Sequence, residues 1–367
     1  MPAKSASRSA KVRTNGFGST RVAIPYTDHN GYEVGEEYAD KMLPRNGRLG
    51  WLLEKKGLKV NTLIIRFVGI YDTVPHHGVS QSNDITDLGL NAITKANYVV
   101  HLVAGDEHRK NFSLVDISCI IGKGGGGSNS KGIELYLPRV HCDVGGSYVE
   151  GRSETVGRIM VTEKENSKIA EVEKERLAKE GWFDKDQLTV HSDNWTRTVL
   201  IGPKTVLSSF RKKVSNQYSF IPLHIMVDFC KSEGLTISSL LDDKYKFRDS
   251  AYSNAAFLQT IEDKLKAYAK GGEKLEYKHR SVPQRAIVYA TGDVNAVANE
   301  ENRRLKEETE INKEFNKHIR RLRNEYLHWN AAYGEGKTGA LDSLKQTLAQ
   351  ANEPNFEKGV RKREVRG

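Results

Sequence analysis

Thr62-Leu63-Ile64-Ile65-Arg66-Phe67-Val68-Gly69-Ile70-Tyr71 runs straight into Asp72-Thr73-Val74-Pro75. The run is nearly continuous in apolar residues and is β-branched in its first half. That pattern belongs to a strand covered on both faces, as in a parallel sheet. Pro75 pushes Val74 out of the helical region, so the segment after the strand is a turn. Asp72 is therefore expected at the carboxyl end of a central strand, the rim on which open α/β sheets place their sites.

The same logic recurs downstream. Residues 91–99 read as a helix or turn. The apolar run 98–103 then leads to Gly105-Asp106-Glu107-His108-Arg109. Residues 133–140 read as another strand, which enters His141-Cys142-Asp143-Val144-Gly145-Gly146. Two glycines after a strand permit a tight turn with positive φ. Beyond residue 150 the predicted elements are a charged helix over 163–180 stopped by Gly181, a strand or hairpin over 188–201, and helices over 221–230, 251–269 and 300–328. Strands mixed with helices predict an α/β layer architecture: a mostly parallel sheet, helices on both faces and a helical C-terminal portion. The expected organisation is a flexible basic segment over 1–20, a core over 21–235, a helical part or cap over 236–335, and a flexible basic tail over 336–367.

The chain has 367 residues, with 57 Lys and Arg against 47 Asp and Glu, for a formal net charge of +10. Much of the excess sits at the two ends, where Lys4, Arg8, Lys11, Arg13 and Arg21 face no acid and Arg361, Lys362, Arg363 and Arg366 face Glu364. Solvated tails account for such ends, and they could also favour anionic headgroups. Aromatics do not interleave with these charges, so no nucleic-acid partner is expected. No apolar run is long enough for a membrane-spanning helix, and no ordinary secretory signal opens the chain. Cys119, Cys142 and Cys230 lie far apart without a CxxC pair, which argues against a disulfide framework and a zinc ribbon.

Asp72 and His141 each follow an apolar strand and precede a Pro or Gly turn. With both strands in one sheet, the two side chains share a rim. A carboxylate there can hold an imidazole in one tautomer and stabilise its cation. The spacing alone favours a capping Asp and a hydrogen-bonded loop His over a catalytic pair. No G-x-S-x-G elbow occurs; the nearest segment is Ser5-Ala6-Ser7-Arg8-Ser9-Ala10, preceded only by Met1–Lys4. By itself this places Ser7 in a basic tail. His76-His77, His101, Asp106-Glu107-His108 and His141 with Asp143 resemble metal ligands in type, but none has the i, i+4 spacing of a helical site. A metal-dependent phosphoesterase using Asp72, Asp106 and His141 stays as an alternative. Gly336-Lys337-Thr338 is not a phosphate loop, because it follows a helix and Ala331 stands where the first glycine is needed. Gly122-Lys123-Gly124 fails similarly.

Several of these segments resemble one family. Phe67-Val68-Gly69-Ile70-Tyr71-Asp72-Thr73-Val74 is similar to its Asp-bearing strand. His101 to Arg109 with Phe112, and Leu137 to Tyr148 around His141, are similar to two further motifs. Tyr218 to Met226 and Leu322 to Trp329 resemble two later ones. The family is the α/β-hydrolase domain of type VI secretion phospholipase effectors, and the resemblance runs from about Leu43 to Tyr333. It implies a serine lipase that needs no cofactor or metal, acts on phospholipid or another ester, and has secretion-apparatus and immunity-protein partners. It implies a cytoplasmic protein in the producing cell, exported by a system that uses no signal peptide. Matched residue by residue, Asp72 corresponds to the triad acid, His141 to the base and Ser7 to the nucleophile. His328 also follows Asp72 and is a second candidate base.

The chain departs from that pattern in several places. Both elbow glycines are serines, and Arg139 and Cys142 replace a Gly and a Ser near the base. The family's first strands, with their oxyanion segment, have no counterpart. An oxyanion donor is commonly worth about 100–1,000-fold in rate. The expectation is an N-terminally truncated member with weak or no activity, and its competitor is a non-catalytic remnant that binds lipid or a protein.

Overall fold

The computed structural model describes residues 12–15, 19–22, 52–53, 55–58, 62, 64–75, 90–109, 112–122, 130–163, 166–193, 204–282, 294–332, 356–357, 360–361, 363 and 365–366. Ser7, His76, His77, the glycine run after Gly122 and the segment 336–338 lie outside them. The chain divides into two compact units, Met1–Ile64 and Ile65–Gly367. In the first, β1 (Val12–Asn15) and β2 (Ser19–Val22) pair antiparallel, with Val12 opposite Val22.

The second unit holds β3 (Ile65–Tyr71), β4 (Ala96–Ala104), a two-residue β5 (Leu114–Val115) and β6 (Gly132–Leu137). β3, β4 and β6 form a parallel sheet in that order. β4 lies in the middle, and its Val99, Val100, Leu102, Val103 and Ala104 are essentially inaccessible. That explains its unbroken apolar run. Along β3 the side chains alternate. Phe67 and Tyr71 join the main core with Val100, Leu102, Leu135 and Leu137. Val68 and Ile70 pack on the opposite face with Val99, Ile117 and α1 (Ser118–Ile121). Each buried Leu or Val on these faces contributes about 1.5–3 kcal/mol. β3, expected to be central, has β4 as its one partner among the described residues, and Ile65 at its start is exposed.

A short helix, α2 (His141–Gly145), follows β6 and opens the way to a second, antiparallel sheet. That sheet consists of β7 (Arg152–Glu163), β8 (Leu188–Asp193) and β9 (Lys204–Val214), in the order β7-β9-β8. α3 (Ser167–Lys179) packs against it and stops before Gly181, as its sequence predicts. β7 has no clear sequence signature. Its register shifts between Val156 and Met160, which breaks the two-residue alternation that would mark a strand.

Five helices follow or flank the core: α4 (Phe220–Ser232), α5 (Leu240–Lys244), α6 (Ala255–Ala269), α7 (Val294–Phe315) and α8 (Lys317–Glu325). α4 covers the core face of the parallel sheet so closely that a Cβ on Gly69 would lie 2.5 Å from Met226 Sδ. The predicted single helix over 300–328 is broken at Asn316. The buried amides of Asn312 and Asn316 each donate to and accept from an extended segment, at Arg280 (2.7 and 2.7 Å) and Lys278 (2.7 and 2.9 Å). In the tail, β10 (Phe356–Glu357) and β11 (Val360–Arg361) pair antiparallel, and β12 (Val365–Arg366) runs parallel to β5. Among the described residues no helix is long and apolar enough to cross a membrane.

Candidate active site

The parallel sheet delivers Asp72 and His141 to one rim. Asp72 is the first residue beyond β3, and its amide still donates to Leu102 O at 2.9 Å, which keeps it on the sheet. His141 opens α2, directly beyond β6. The turn between Gly145 and Tyr148 works as the glycine pair predicts, with Gly146 at φ +70°. His141 Nδ1 lies 2.7 Å from Asp72 Oδ2. The carboxylate is 1% exposed, whereas the imidazole is 31% exposed, so one edge of the pair faces outward.

Asp72 is heavily hydrogen-bonded. Oδ1 accepts from the Ala104 amide at 2.8 Å. Arg363 donates to Oδ1 at 2.5 Å and to Oδ2 at 2.9 Å. Burial alone would push the carboxyl up, but the His141 hydrogen bond, the charge and hydrogen bonds of Arg363 and the Ala104 amide outweigh it. They hold Asp72 well below the usual carboxylate range. It is a permanent anion at neutral pH, as a group that stabilises an imidazolium must be.

Glu107 sets the other side of the site. Its Oε2 accepts the His141 amide at 3.0 Å and the Asn330 amide group at 3.2 Å. Its Oε1 takes the His108 and Arg109 amides at 3.0 and 2.9 Å. Arg109 adds two guanidinium bonds, at 2.9 and 3.0 Å. Burial raises the Glu107 carboxyl, yet these Arg109 contacts bring it down to about 2. Arg109 in turn lies 3.2 Å over the Phe112 ring, and Phe112 meets the His141 ring edge-on at 5.2 Å. So the loop after β4, which the sequence offered as a metal-like cluster, anchors the backbone and ring of His141 instead.

His328 is placed differently. Its Nδ1 lies 2.8 Å from Asp143 Oδ1 and its amide donates to Asp143 Oδ2 at 3.1 Å. The ring stacks on Tyr148 at 3.5 Å and is buried. The partner of Asp72 is thus His141, and His328 belongs to a separate interior pair. His101 is also buried. Its Nε2 accepts the Thr73 amide at 3.2 Å, so its Nδ1 carries the proton given to Glu134 at 2.9 Å. Asp106 pairs with Arg323 at 3.0 Å. Among the described residues no three His, Cys, Asp or Glu side chains converge as metal ligands. Of the three groups proposed for a metal phosphoesterase, Asp72 and His141 bond each other and Asp106 is held by Arg323.

Two contributors had little or no sequence signal. Glu107 lay in a recognised motif, but nothing in its spacing announced a bond to the His141 amide. Arg363 was one cation among several in a basic tail.

The model of the catalytic domain of Tle1-like type VI secretion phospholipase effectors matches residues 36–171. The chain resembles the Tle1-like phospholipase effectors. Asp72 and His141 both fall inside the Tle1-like segment. Among solved structures, the chain is similar to a Tle1 effector bound to the VgrG spike of the type VI secretion system, at 18% identity and a TM-score of 0.43. That likeness covers 83% of this chain, which spans 58% of the length of the other. No curated protein matches the chain.

Proposed function

We propose that this chain is a carboxylic-ester hydrolase of the phospholipase type, working through a serine nucleophile and the Asp72–His141 pair. The observation that carries the reading is the 2.7 Å contact between a buried, ionised Asp72 and the outward-facing imidazole of His141, at the carboxyl rim of a parallel sheet. The Tle1-like match over both residues supports it.

In this reading Nε2 of the partly exposed His141 takes a proton from the attacking hydroxyl and returns it to the leaving alcohol. Asp72 accepts from Nδ1–H throughout, fixing the tautomer and stabilising the imidazolium between the two steps. Glu107 positions His141 by its backbone. The nucleophile is assigned to Ser7 by family resemblance, and the substrate to a phospholipid or another acyl ester. The α/β-hydrolase topology, a secretion-apparatus partner, an immunity partner and export without a signal peptide belong to the same proposal. The replaced elbow glycines predict a slow enzyme.

The test is labelling by a fluorophosphonate probe followed by peptide mapping. Labelling of Ser7 that disappears in His141→Ala and persists in His224→Ala supports the assignment. His224 is a fair control, since it sits between Glu262 and the Tyr245 carbonyl at 2.8 and 3.0 Å. Labelling that ignores His141, or that maps to a serine elsewhere, removes Ser7 from the mechanism.

A further inference from the structure

The carboxyl rim contains four oxygens arranged for a planar cation, and the chain's own tail fills them. Arg363 Nη1 donates to Asp72 Oδ1 at 2.5 Å and to Ala104 O at 3.1 Å. Nη2 donates to Asp72 Oδ2 at 2.9 Å, and Nε to Phe112 O at 2.7 Å. Every nitrogen of the guanidinium has an acceptor, and the side chain is 10% exposed. A lysine ammonium could not satisfy this fork.

We propose that this is a guanidinium-binding slot, and that Arg363 latches the C-terminal strap into it and holds the Asp72–His141 pair in a silenced state. The inference rests on the hydrolase reading above.

Two observations favour a removable latch over a permanent structural pin. The backbone anchor of the strap is thin: among the described residues β12 meets β5 through Val365 opposite Leu114 and Arg366 opposite Val115, and Val365 is half exposed. The slot stands without the tail, because Asp72 is already fixed by the Leu102 carbonyl, the Ala104 amide and His141. The consequence for chemistry follows from sharing. While Arg363 holds both carboxylate oxygens, less of the Asp72 charge is available to stabilise an imidazolium on His141. An extended, arginine-bearing peptide that takes the slot, or any partner that peels β12 from β5, would set the state of the site.

The test compares full-length wild type with Arg363→Gln and Arg363→Lys. Each is treated with diethyl pyrocarbonate, and carbethoxylation is read on the separate His141, His224 and His328 peptides by mass spectrometry. Measured at alkaline pH, where the imidazole is neutral in all three proteins, His141 should react faster by about threefold or more in both variants, because a carboxylate released from the fork makes Nε2 more nucleophilic, with His224 and His328 unchanged. Ester turnover should rise in the same two proteins. Equal His141 rates in all three proteins overturn the latch. Faster His141 modification with no ester turnover in any of them keeps the latch and counts against the hydrolase reading.

Discussion

Asp72 holds a backbone φ of +43°, the one non-glycine residue at positive φ among those described. Asp and Asn tolerate this left-handed region because their short polar side chains bond locally, whereas other residues pay of order 1 kcal/mol or more. Asp72→Asn should therefore keep the left-handed turn yet lose the negative charge that an imidazolium needs. Ester turnover is expected to fall on the order of 10³–10⁴-fold, and urea unfolding should show a loss of stability as well, since the Arg363 and His141 contacts lose their anion. Asp72→Leu should lose both activity and stability. Asp72 and His141 were legible in the sequence because each closes an apolar run at a turn, and that pattern encodes position on a sheet. Their bonding was not legible, since spacing cannot distinguish a pair from two separate caps. Arg363 was invisible for a related reason. A contact between residues 291 positions apart leaves no local trace, and an arginine among other tail cations looks like a solvated charge.

At the scale of elements, Arg211 on β9 ties the second sheet to the end of α8. Its buried guanidinium pairs with Glu154 on β7 and donates to the carbonyls of Arg323, Asn324 and Leu327 at 3.0, 2.9 and 2.7 Å. Glu154 also receives the Trp329 amide at 2.6 Å, so this cluster fixes the segment that carries His328. Arg211→Met should destabilise by about 3–5 kcal/mol, because it strands a largely buried carboxylate and three carbonyls. Denaturant unfolding measures that loss. Hydrogen exchange should quicken over residues 323–329 before it quickens in β4. The parallel sheet was legible from apolar runs; of the antiparallel sheet, β8 falls within the strand or hairpin predicted over 188–201, whereas β7 and β9 were not legible. β7 buries one face only and carries a bulge, so Arg152, Glu154 and Arg158 mask its period. The break at Asn316 was likewise hidden, since its cause is a pair of amides gripping residues 278–280, distant in sequence.

For the whole molecule, two carboxylates at the rim link stability to acid. Asp72 and Glu107 both have folded-state values depressed below their ordinary ones. Depressed carboxyls contribute stability that is full above the unfolded value and fades as pH falls toward the folded one. Glu107, brought from 4.5 to about 2, should account for about 3 kcal/mol lost across that window. Melting temperature should be flat from pH 7 to about 5 and fall steeply below about 4.5. Glu107→Gln should flatten that fall while lowering stability at pH 7. Ester hydrolysis on a chromogenic short-chain substrate tests the central claim most directly, in wild type, Asp72→Asn, His141→Ala and His224→Ala. The account predicts slow wild-type turnover that the first two substitutions reduce at least about 100-fold and the third leaves in place. Turnover that survives both Asp72→Asn and His141→Ala, or none above background in either the wild type or Arg363→Gln, would contradict it.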